Sequence, residues 1–279
     1  MIHIASFSGG KDSTALLLWM KEQGIEHETI FCDTGWEHPI TTAYIDKVDR
    51  ELLGGRLIRL KSEKYTTGFH EMVIDRGIVP GMRSRFCTQE LKIFPLHNWL
   101  QTLDDSERTV YQGIRSEESA SRAASPKRTW ENDAGGFWID RPLKEWAAQD
   151  VFDIHKKHGI EPNPLYKLGA GRVGCWPCVM VSKRELACLF RESDDLIVKL
   201  EKLEADLNKG RAPEDRAAFF RSDYIPERFM HAPPIRTKDG RLVKCPTARE
   251  VRDYLMEADD KQLGMFEAPK CVSIYNLCE

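Results

Sequence analysis

The sequence lacks long apolar stretches and carries little net charge. None of its 279 residues belongs to a run of 18 uncharged apolar residues, which is the length that a membrane-spanning helix requires. The first residues also lack the basic segment and long apolar stretch of a secretory signal, so we expect a cytoplasmic protein with no membrane partner. A formal charge of -3 excludes a general attraction to nucleic acid. With 41% hydrophobic and 30% charged residues, the composition is that of a folded chain.

Two local clusters of basic residues leave nucleic acid open as a partner despite the acidic balance. The clusters are Arg83, Arg85 and Lys92, followed by Arg115, Arg122, Lys127 and Arg128. Because phosphate contacts depend on local rather than net charge, either cluster offers a binding surface.

Short apolar runs alternate with helical patterns over the first 60 residues. Strands are predicted at 2–7, 29–32 and 56–60, and helices at 14–23 and 41–53. This alternation predicts an α/β fold, with a Rossmann-like parallel sheet and helices on both of its faces. Two further strands are predicted, at 109–113 and 137–140.

Polar loops follow three of these strands, at 8–13, 33–37 and 113–118. Ligands of parallel sheets bind beyond the carboxyl ends of the strands, so we expect the three loops to form one site.

The composition changes near residue 190, from βα units to a charged helix at 196–207 and then to proline-rich sequence. We therefore expect a nucleotide-binding domain at 1–190 and a helical and irregular appendage at 191–279. The stretch Phe219–Pro226 mixes aromatic and basic residues, and we expect it to pack against the core, with contact to a nucleic acid or an adenine as the alternative. His155–His158 is interpreted as a solvated helix end.

The segment Ser8-Gly9-Gly10-Lys11-Asp12-Ser13 stands between the first strand and the first helix. Glycines let backbone N–H groups approach an anion, the helix start adds partial positive charge, and Lys11 adds a full charge. The segment differs from the Walker pattern, which has four residues between its first glycine and the Gly-Lys pair. It predicts a phosphate-binding loop, and the alternative is a tight turn capped by Ser or Asp.

Eight cysteines are many for a reducing compartment, where structural disulfides are rare, so metal or redox chemistry is considered first. Cys175-Trp176-Pro177-Cys178 has a spacing that suits zinc or an iron–sulfur cluster. We predict Cys87, Cys175, Cys178 and Cys188 as metal ligands. A zinc site, a redox pair and ordinary buried thiols remain alternatives. Cys32 is expected in the core, and Cys245, Cys271 and Cys278 are left unassigned.

Taken together, these segments resemble the PP-loop ATP-pyrophosphatase superfamily and, within it, the phosphoadenosine phosphosulfate (PAPS) reductase family. That branch also holds the small subunit of sulfate adenylyltransferase and the sulfur-inserting enzymes of DNA phosphorothioation. Besides the loop, the resemblance rests on Phe31–Gly35, Arg85–Lys92, Gly113–Arg122, Arg141–Leu143, Asp150–Phe152 and Asn163–Tyr166. It implies a fold like that of the adenine nucleotide alpha hydrolases, with ATP or a related adenine nucleotide as ligand.

The resemblance also implies roles for individual residues. Lys11 would neutralise phosphate charge, and the nucleotide would bind at Ser8, Gly9, Gly10, Ser13, Asp33, Thr34, Gly35, Gly113, Arg115, Glu118 and Arg122. Asp12 or Asp33 would hold Mg²⁺, which prefers carboxylates and phosphate oxygens. Lys11, Asp33 and Arg115 are the predicted catalytic residues. The alternatives are a polar turn at 33–35 and a surface helix with internal ion pairs at 115–122.

Adenylyl-sulfate reductases similar to this chain bind a 4Fe-4S cluster through two adjacent cysteines and a later CxxC. Here Phe86-Cys87 replaces the adjacent pair, so a fourth ligand has to come from Cys188, from a cysteine of the C-terminal part, or from no residue at all. The resemblance therefore implies ATP, Mg²⁺ and a 4Fe-4S cluster as cofactors.

Reductases of this family typically carry an altered phosphate loop and a Glu-Cys-Gly motif near the C-terminus. The present loop is intact and the sequence ends Leu277-Cys278-Glu279. This favours an enzyme that adenylates an acceptor for sulfur transfer, with a cysteine desulfurase or another sulfur donor as partner. PAPS or adenylyl-sulfate reduction and a non-catalytic nucleotide-binding module are the alternatives.

Overall fold

A computed structural model describes residues 1–81, 84–104 and 107–258 of the chain. Arg83, Cys271 and Cys278, named above, lie outside the described residues. Six described strands form one sheet in the order β3-β2-β1-β4-β6-β5, and neighbouring strands are parallel except β5 and β6. They are β1 Ile2–Phe7, β2 Glu28–Cys32, β3 Ile58–Leu60, β4 Arg108–Gln112, β5 Arg128–Glu131 and β6 Phe137–Asp140. The short strands β7 Ile235–Arg236 and β8 Leu242–Val243 form a separate antiparallel pair.

Helices connect and cover the strands of the main sheet. They are α1 Lys11–Glu22, α2 Pro39–Val48, α3 Phe69–Arg76, α4 Phe86–Thr88, α5 Phe94–Gln101, α6 Ala120–Ala124, α7 Ala148–His158, α8 Lys183–Glu192, α9 Asp195–Leu207 and α10 Ala248–Glu257. One wide turn at Asp49–Leu53 extends α2, and another at Gln89–Ile93 joins α4 to α5. Within the described ranges, no helix combines the length and the apolar character needed to cross a bilayer.

Strand β1 lies in the middle of the sheet, where both of its faces are covered. Ala5 pairs with Thr29 of β2 on one side and with Tyr111 of β4 on the other. Ile4 and Ala5 are fully buried, as expected for a central parallel strand. The predicted α/β fold is therefore confirmed, and the carboxyl ends of β1, β2 and β4 lie at one edge of the sheet.

Strand β5 is the one antiparallel member of the sheet, and the sequence did not predict it. Its four residues contain no apolar run, which is the signal on which the other strand predictions depended. The chain reverses between β5 and β6 through Ala134, Gly135 and Gly136, all of which have positive φ. This reversal allows β6 to run parallel to β4.

The C-terminal helices share an apolar core with earlier parts of the chain. Leu200 and Leu203 of α9 belong to the same buried cluster as Met72 of α3 and Phe86 of α4. Phe219, Phe220 and Ile225 are buried in it too, which confirms that the Phe219–Pro226 stretch packs against the core. A second cluster lies between the sheet and the helices α1, α2 and α7.

Candidate functional site

The loop after β1 is a tight bend closed by its own side chains. The Ser13 hydroxyl accepts the Ser8 N–H at 3.1 Å and donates to the Gly10 carbonyl at 3.0 Å. Gly9 has φ +74°, and a Cβ at this position would lie 2.9 Å from Ile45 Cγ1 of α2. Glycine is therefore required here both for backbone conformation and for space.

Residues distant in sequence hold this bend in place. The Asn163 amide donates to the Gly9 carbonyl at 3.1 Å, and the Tyr166 hydroxyl accepts the Lys11 N–H at 3.1 Å. His155 Nε2 lies 2.9 Å from the Lys11 carbonyl oxygen. His155 is 2% exposed, so its interpretation as part of a solvated helix end was wrong. The position of α7 against α1 buries it, and burial lowers the pKa of its imidazole.

Lys11, Asp12 and Arg115 form a buried charged group next to the bend. The Lys11 ammonium lies 2.6 Å from Asp12 Oδ2, and Arg115 Nε donates to Asp12 Oδ1 at 2.6 Å. Burial by itself would raise the pKa of the Asp12 carboxyl, but the charges of Lys11 and Arg115 outweigh it and hold that pKa below its ordinary value. Asp12 is therefore ionised at neutral pH.

A close backbone approach brings Arg115 to this group. A Cβ at Gly113 would lie 2.5 Å from the Asp12 carbonyl oxygen, so a larger residue would separate β4 from α1. The Arg115 N–H donates to Glu118 at 2.9 Å, and Glu118 also forms an ion pair with Arg122. Arg115 thus lies at the bend, next to Asp12. Glu118 and Arg122 instead pair with each other, which is the arrangement that the surface-helix alternative predicts.

The loop after β2 contains the other predicted nucleotide ligands. Asp33 Oδ1 accepts the Gly35 N–H at 2.9 Å, and its Oδ2 lies 3.2 Å from the Lys61 ammonium. A Cβ at Gly35 would lie 2.3 Å from the Thr67 carbonyl oxygen. The Thr34 hydroxyl donates to Glu37 Oε1 at 2.6 Å. Both oxygens of Asp33 thus have partners inside the protein, as do both oxygens of Asp12.

The same loop pairs with the CxxC segment. The Trp176 N–H donates to the Trp36 carbonyl at 2.7 Å, and Glu37 and Cys175 form a β-bridge. The bend after β1 lies beside the residues that precede this segment, because a Cβ at Gly10 would be in van der Waals contact, at 3.9 Å, with the Val173 carbonyl oxygen. Of the three loops predicted to form one site, 8–13 and 113–118 meet through Asp12, and 33–37 pairs with the CxxC segment.

Three of the four predicted metal ligands lie near one another. Burial raises the pKa of the Cys87 thiol, and the nearby charges of Cys175 and Cys178 raise it further. The nearby Cys175 raises the pKa of the Lys92 ammonium, and so does the nearby Glu37. Lys92 is a residue that the site prediction omitted, although its place in the Arg85–Lys92 motif was a signal.

The remaining thiols differ in their surroundings. Cys188 lies on α8, where its sulfur would be 3.1 Å from a Cβ at Gly169. The Cys32 thiol donates weakly to the Lys92 carbonyl at 3.5 Å, and burial raises its pKa to about 11. Cys245 is buried in the C-terminal part. Among residues 1–81, 84–104 and 107–258, no group of three or more His, Cys, Asp or Glu side chains is arranged so that it could hold a metal ion.

A cation from the C-terminal part also reaches this region. Lys199 of α9 places its ammonium 3.9 Å from the centroid of the Trp36 ring and 5.3 Å from that of Trp176. Burial lowers the pKa of Lys199 to about 8, although Glu37 and Cys175 favour its charged form. The sequence offered no signal for this contact, because Lys199 is one of several lysines on a charged helix.

A cavity of about 100 Å³ lies beside the CxxC segment. Its wall includes Val173 next to the bend, Lys92, and the cysteines Cys175 and Cys178. The cavity therefore gives two of the cysteine side chains and the Lys92 ammonium a shared space.

Comparison with known proteins shows which protein family this chain matches. The family model described as "Phosphoadenosine phosphosulfate reductase domain" matches residues 2–181. An uncharacterised protein of Escherichia phage 186 is 33% identical, over 81% of each chain. The adenosine 5'-phosphosulfate reductase of Streptomyces coelicolor is 29% identical, over 54% of this chain and 61% of its own length. This chain thus covers less than two thirds of the Streptomyces protein.

A solved structure shares the fold. The crystal structure of phosphoadenylyl-sulfate reductase from Candida auris in a phosphate complex aligns with a TM-score of 0.51 at 20% identity. The alignment covers 64% of this chain and 83% of the Candida chain.

Proposed function

Because the chain belongs to the phosphoadenosine phosphosulfate reductase family, we propose that it is an ATP-pyrophosphatase that adenylates an acceptor for sulfur transfer. The matched domain covers the phosphate loop, the loop after β2 and the CxxC segment. The acceptor would be a nucleic acid or another molecule with a reactive oxygen.

One observation carries this proposal: an intact phosphate loop, with Lys11 and Arg115 beside it, borders the segment that contains Cys175 and Cys178. Gly10 and Val173 mark the contact between the two sides. Activation at phosphorus and delivery of sulfur need such neighbouring sites, because the activated acceptor must meet the sulfur before water does.

In the proposed reaction, an oxygen of the acceptor attacks the α-phosphorus of ATP. The bond from that phosphorus to the oxygen bridging to the β-phosphorus breaks, and pyrophosphate leaves with the electron pair. Lys11 and Arg115 stabilise the charge that develops on the phosphate oxygens, and the bend with its Ser8 and Ser13 hydroxyls orients the phosphates. A hydrosulfide, freed from the donor's persulfide by a thiol reductant, then attacks the activated atom of the acceptor. The bond from that atom to the adenylated oxygen breaks, and AMP leaves with this oxygen and the electron pair.

Magnesium is the metal that this chemistry implies. Carboxylates next to a phosphate site suit Mg²⁺ chemically, and Asp12 and Asp33 are the residues that would hold it. When bound, it supplies charge neutralisation at the phosphates. In the described arrangement each of these carboxylates is already paired with protein groups, so binding requires a change of partners.

For the thiols we propose a 4Fe-4S cluster held by Cys87, Cys175, Cys178 and Cys188, with zinc as the alternative. Three of these thiols are near enough for their charges to interact, and a cluster spans a wider space than a single ion does. A bound cluster would supply electron or sulfide transfer. We propose a sulfur donor such as a cysteine desulfurase as the partner, and the cytoplasm as the location.

PAPS or adenylyl-sulfate reduction is the second candidate. It is favoured by relatives named as reductases, including the phosphoadenosine 5'-phosphosulfate reductase of Vibrio vulnificus YJ016, which is 28% identical over 62% of this chain. A non-catalytic nucleotide-binding module is the third.

The test is a pair of assays on anaerobically purified protein. Adenylation predicts release of pyrophosphate from ATP when a sulfur donor and candidate acceptors are supplied. Sulfite formed from PAPS or adenylyl sulfate with a thiol reductant, without pyrophosphate release, would establish the reductase instead. Nucleotide binding without formation of either product would indicate the third candidate, a non-catalytic nucleotide-binding module.

The cluster has its own test. We expect a brown protein with iron and labile sulfide near four per chain, as a 4Fe-4S cluster contains. Stoichiometric zinc in a colourless protein would contradict the cluster.

A further inference from the structure

Strand β5 forms one edge of the main sheet, and its outer side pairs with no strand of the described ranges. On its inner side, Thr129 lies opposite Ile139 of β6, and Trp130 lies opposite Trp138. Trp130 is nevertheless 44% exposed. An open edge with an exposed indole is a template on which another strand can pair.

The free backbone groups of β5 belong to two of its residues. The Arg141 N–H donates to the Lys127 carbonyl at 2.9 Å, which places these two residues among the hydrogen-bonded pairs of the ladder. In antiparallel strands such pairs alternate with pairs whose backbone groups point away from each other. The N–H and C=O groups of Arg128 and Trp130 therefore point outward from the sheet.

We propose that β5 pairs antiparallel with β5 of a second copy of this chain, about a two-fold axis that passes beside Thr129. A two-fold axis perpendicular to the sheet keeps each side chain on its own face, so opposite residues are an even number of positions apart. With Thr129 opposite Thr129 of the second copy, Arg128 lies opposite Trp130. In the same register Lys127 lies opposite Glu131, and each of these contacts occurs twice.

On one face of the joint sheet, this register brings arginine and tryptophan together. Arg128 and Trp130 of the second copy exchange the hydrogen bonds of their outward backbone groups. The Arg128 guanidinium already lies 4.5 Å from the centroid of the Trp138 ring in its own chain. Pairing places a second indole next to the same guanidinium, where a cation–π contact is favourable, and it covers the exposed Trp130.

On the other face, the register pairs opposite charges. Within the described ranges neither Lys127 nor Glu131 belongs to an ion pair. Charged residues commonly protect an edge strand by repelling a second strand, but these two attract each other when β5 meets its own copy. A register centred on Trp130 would instead place Glu131 opposite Thr129 and leave both charges unpaired. Charge complementarity thus favours the axis beside Thr129.

The resulting dimer should be reversible. A pair of strands this short buries an area in the range of transient complexes, so we expect a dissociation constant in the micromolar range. The strands of the two copies run in opposite directions, and the two candidate sites therefore lie at opposite edges of the joint sheet. The interface uses none of Lys11, Asp33 and Arg115, and it is independent of the proposed reaction.

The first experiment is analytical ultracentrifugation of the full chain over a concentration series, under reducing conditions. We expect the wild type to pass from monomer to dimer as its concentration rises. Lys127→Glu and Glu131→Lys each place like charges opposite one another, so each variant alone should dimerise about tenfold more weakly. An equimolar mixture of the two variants should recover the wild-type affinity, because the mixed pair has opposite charges at both contacts. Lys209→Glu, at an exposed position away from β5, is the control and should dimerise like the wild type.

The second experiment tests the register. Thr129→Cys places a thiol directly opposite its own copy in a pair with closely spaced Cα atoms, so mild oxidation should link two chains through this position. Glu131→Cys is the matched control on the same face of the strand, and it should not link to itself because it lies opposite Lys127. Since the chain has eight cysteines of its own, the linked peptides are identified by mass spectrometry.

Several results would overturn the proposal. One is a chain that stays monomeric at every concentration, and another is a dimer that both charge variants form as well as the wild type does. A dimer in which Thr129→Cys forms no link through residue 129 would use another surface. If the chain is monomeric and a single-stranded oligonucleotide protects Thr129→Cys from alkylation, the edge binds nucleic acid instead of a second copy.

Discussion

Lys11 contributes to the site through its charge, because its ammonium lies against Asp12 and faces the bend. Replacing it by methionine keeps much of the side-chain volume and removes the charge. We expect Lys11→Met to weaken pyrophosphate binding about 10- to 100-fold, as the loss of a charged contact implies.

Lys47→Met serves as the control, because Lys47 forms a surface pair with Glu51 away from the bend. Lys11→Arg should restore part of the affinity. Full affinity in Lys11→Met, measured by calorimetry, would remove Lys11 from the phosphate site.

Cys32 illustrates how burial makes a thiol unreactive. With its pKa raised to about 11, about one molecule in a thousand is a thiolate at pH 8, against roughly a tenth for a thiol at the ordinary value of 9.0. We therefore expect iodoacetamide to alkylate Cys32 about 100-fold more slowly in the native protein than in urea, as followed by mass spectrometry. Equal rates in the two states would show that the thiol is accessible and unperturbed.

At the scale of elements, Gly113 sets the distance between the end of β4 and the start of α1. In Gly113→Ala the added Cβ would lie 2.5 Å from the Asp12 carbonyl oxygen, so one element must move. We expect a loss of about 1–3 kcal/mol in the free energy of unfolding, together with weaker nucleotide binding.

Gly81→Ala is the control, because a Cβ at Gly81 meets no atom within 4 Å among the residues that the structure describes, its chain neighbours aside. Denaturant unfolding and calorimetry on both variants test this. Equal stability of the two variants would mean that β4 and α1 adjust without cost.

Lys199 of helix α9 makes the free energy of unfolding depend on pH. Because its pKa is lowered to about 8 from an ordinary 10.5, the native protein loses this proton at a lower pH than the unfolded chain does. Between those two values the unfolded state binds more protons, so this residue makes stability rise with pH.

Lys199→Met should remove that rise, measured as the difference in unfolding free energy from the wild type at pH 7.5, 9 and 10. Lys209→Met, at an exposed position, is the control. An unchanged pH dependence in Lys199→Met would contradict the partly buried position of this ammonium between two indoles.

For the whole molecule, the shared core decides whether the appendage is dispensable. Leu200 and Leu203 pack in one buried cluster with Met72 and Phe86, which lie in the part before residue 190. We expect a chain truncated after residue 190 to expose this apolar surface and to lose cooperative unfolding. A soluble truncated chain with a single sharp transition would instead establish an independent domain at 1–190.

Much of the architecture was predictable from local patterns. Strand β1 was predicted with its observed bounds, and the helix after it began at Lys11 instead of residue 14. These signals are local, since an apolar run and a glycine bend are visible within a few residues. Strand β5 was missed because its polar and aromatic residues pair with β6 only after the chain reverses.

The sequence by itself determined the α/β order of elements, the bend after β1 and the family, because each depends on residues near one another along the chain. Only the tertiary structure decided what touches the bend. Asp12 meets Arg115 across 103 positions, and Tyr166 meets Lys11 across 155. Such partners follow from how strands and helices pack in space, and no local pattern specifies which distant charge will neutralise a buried one.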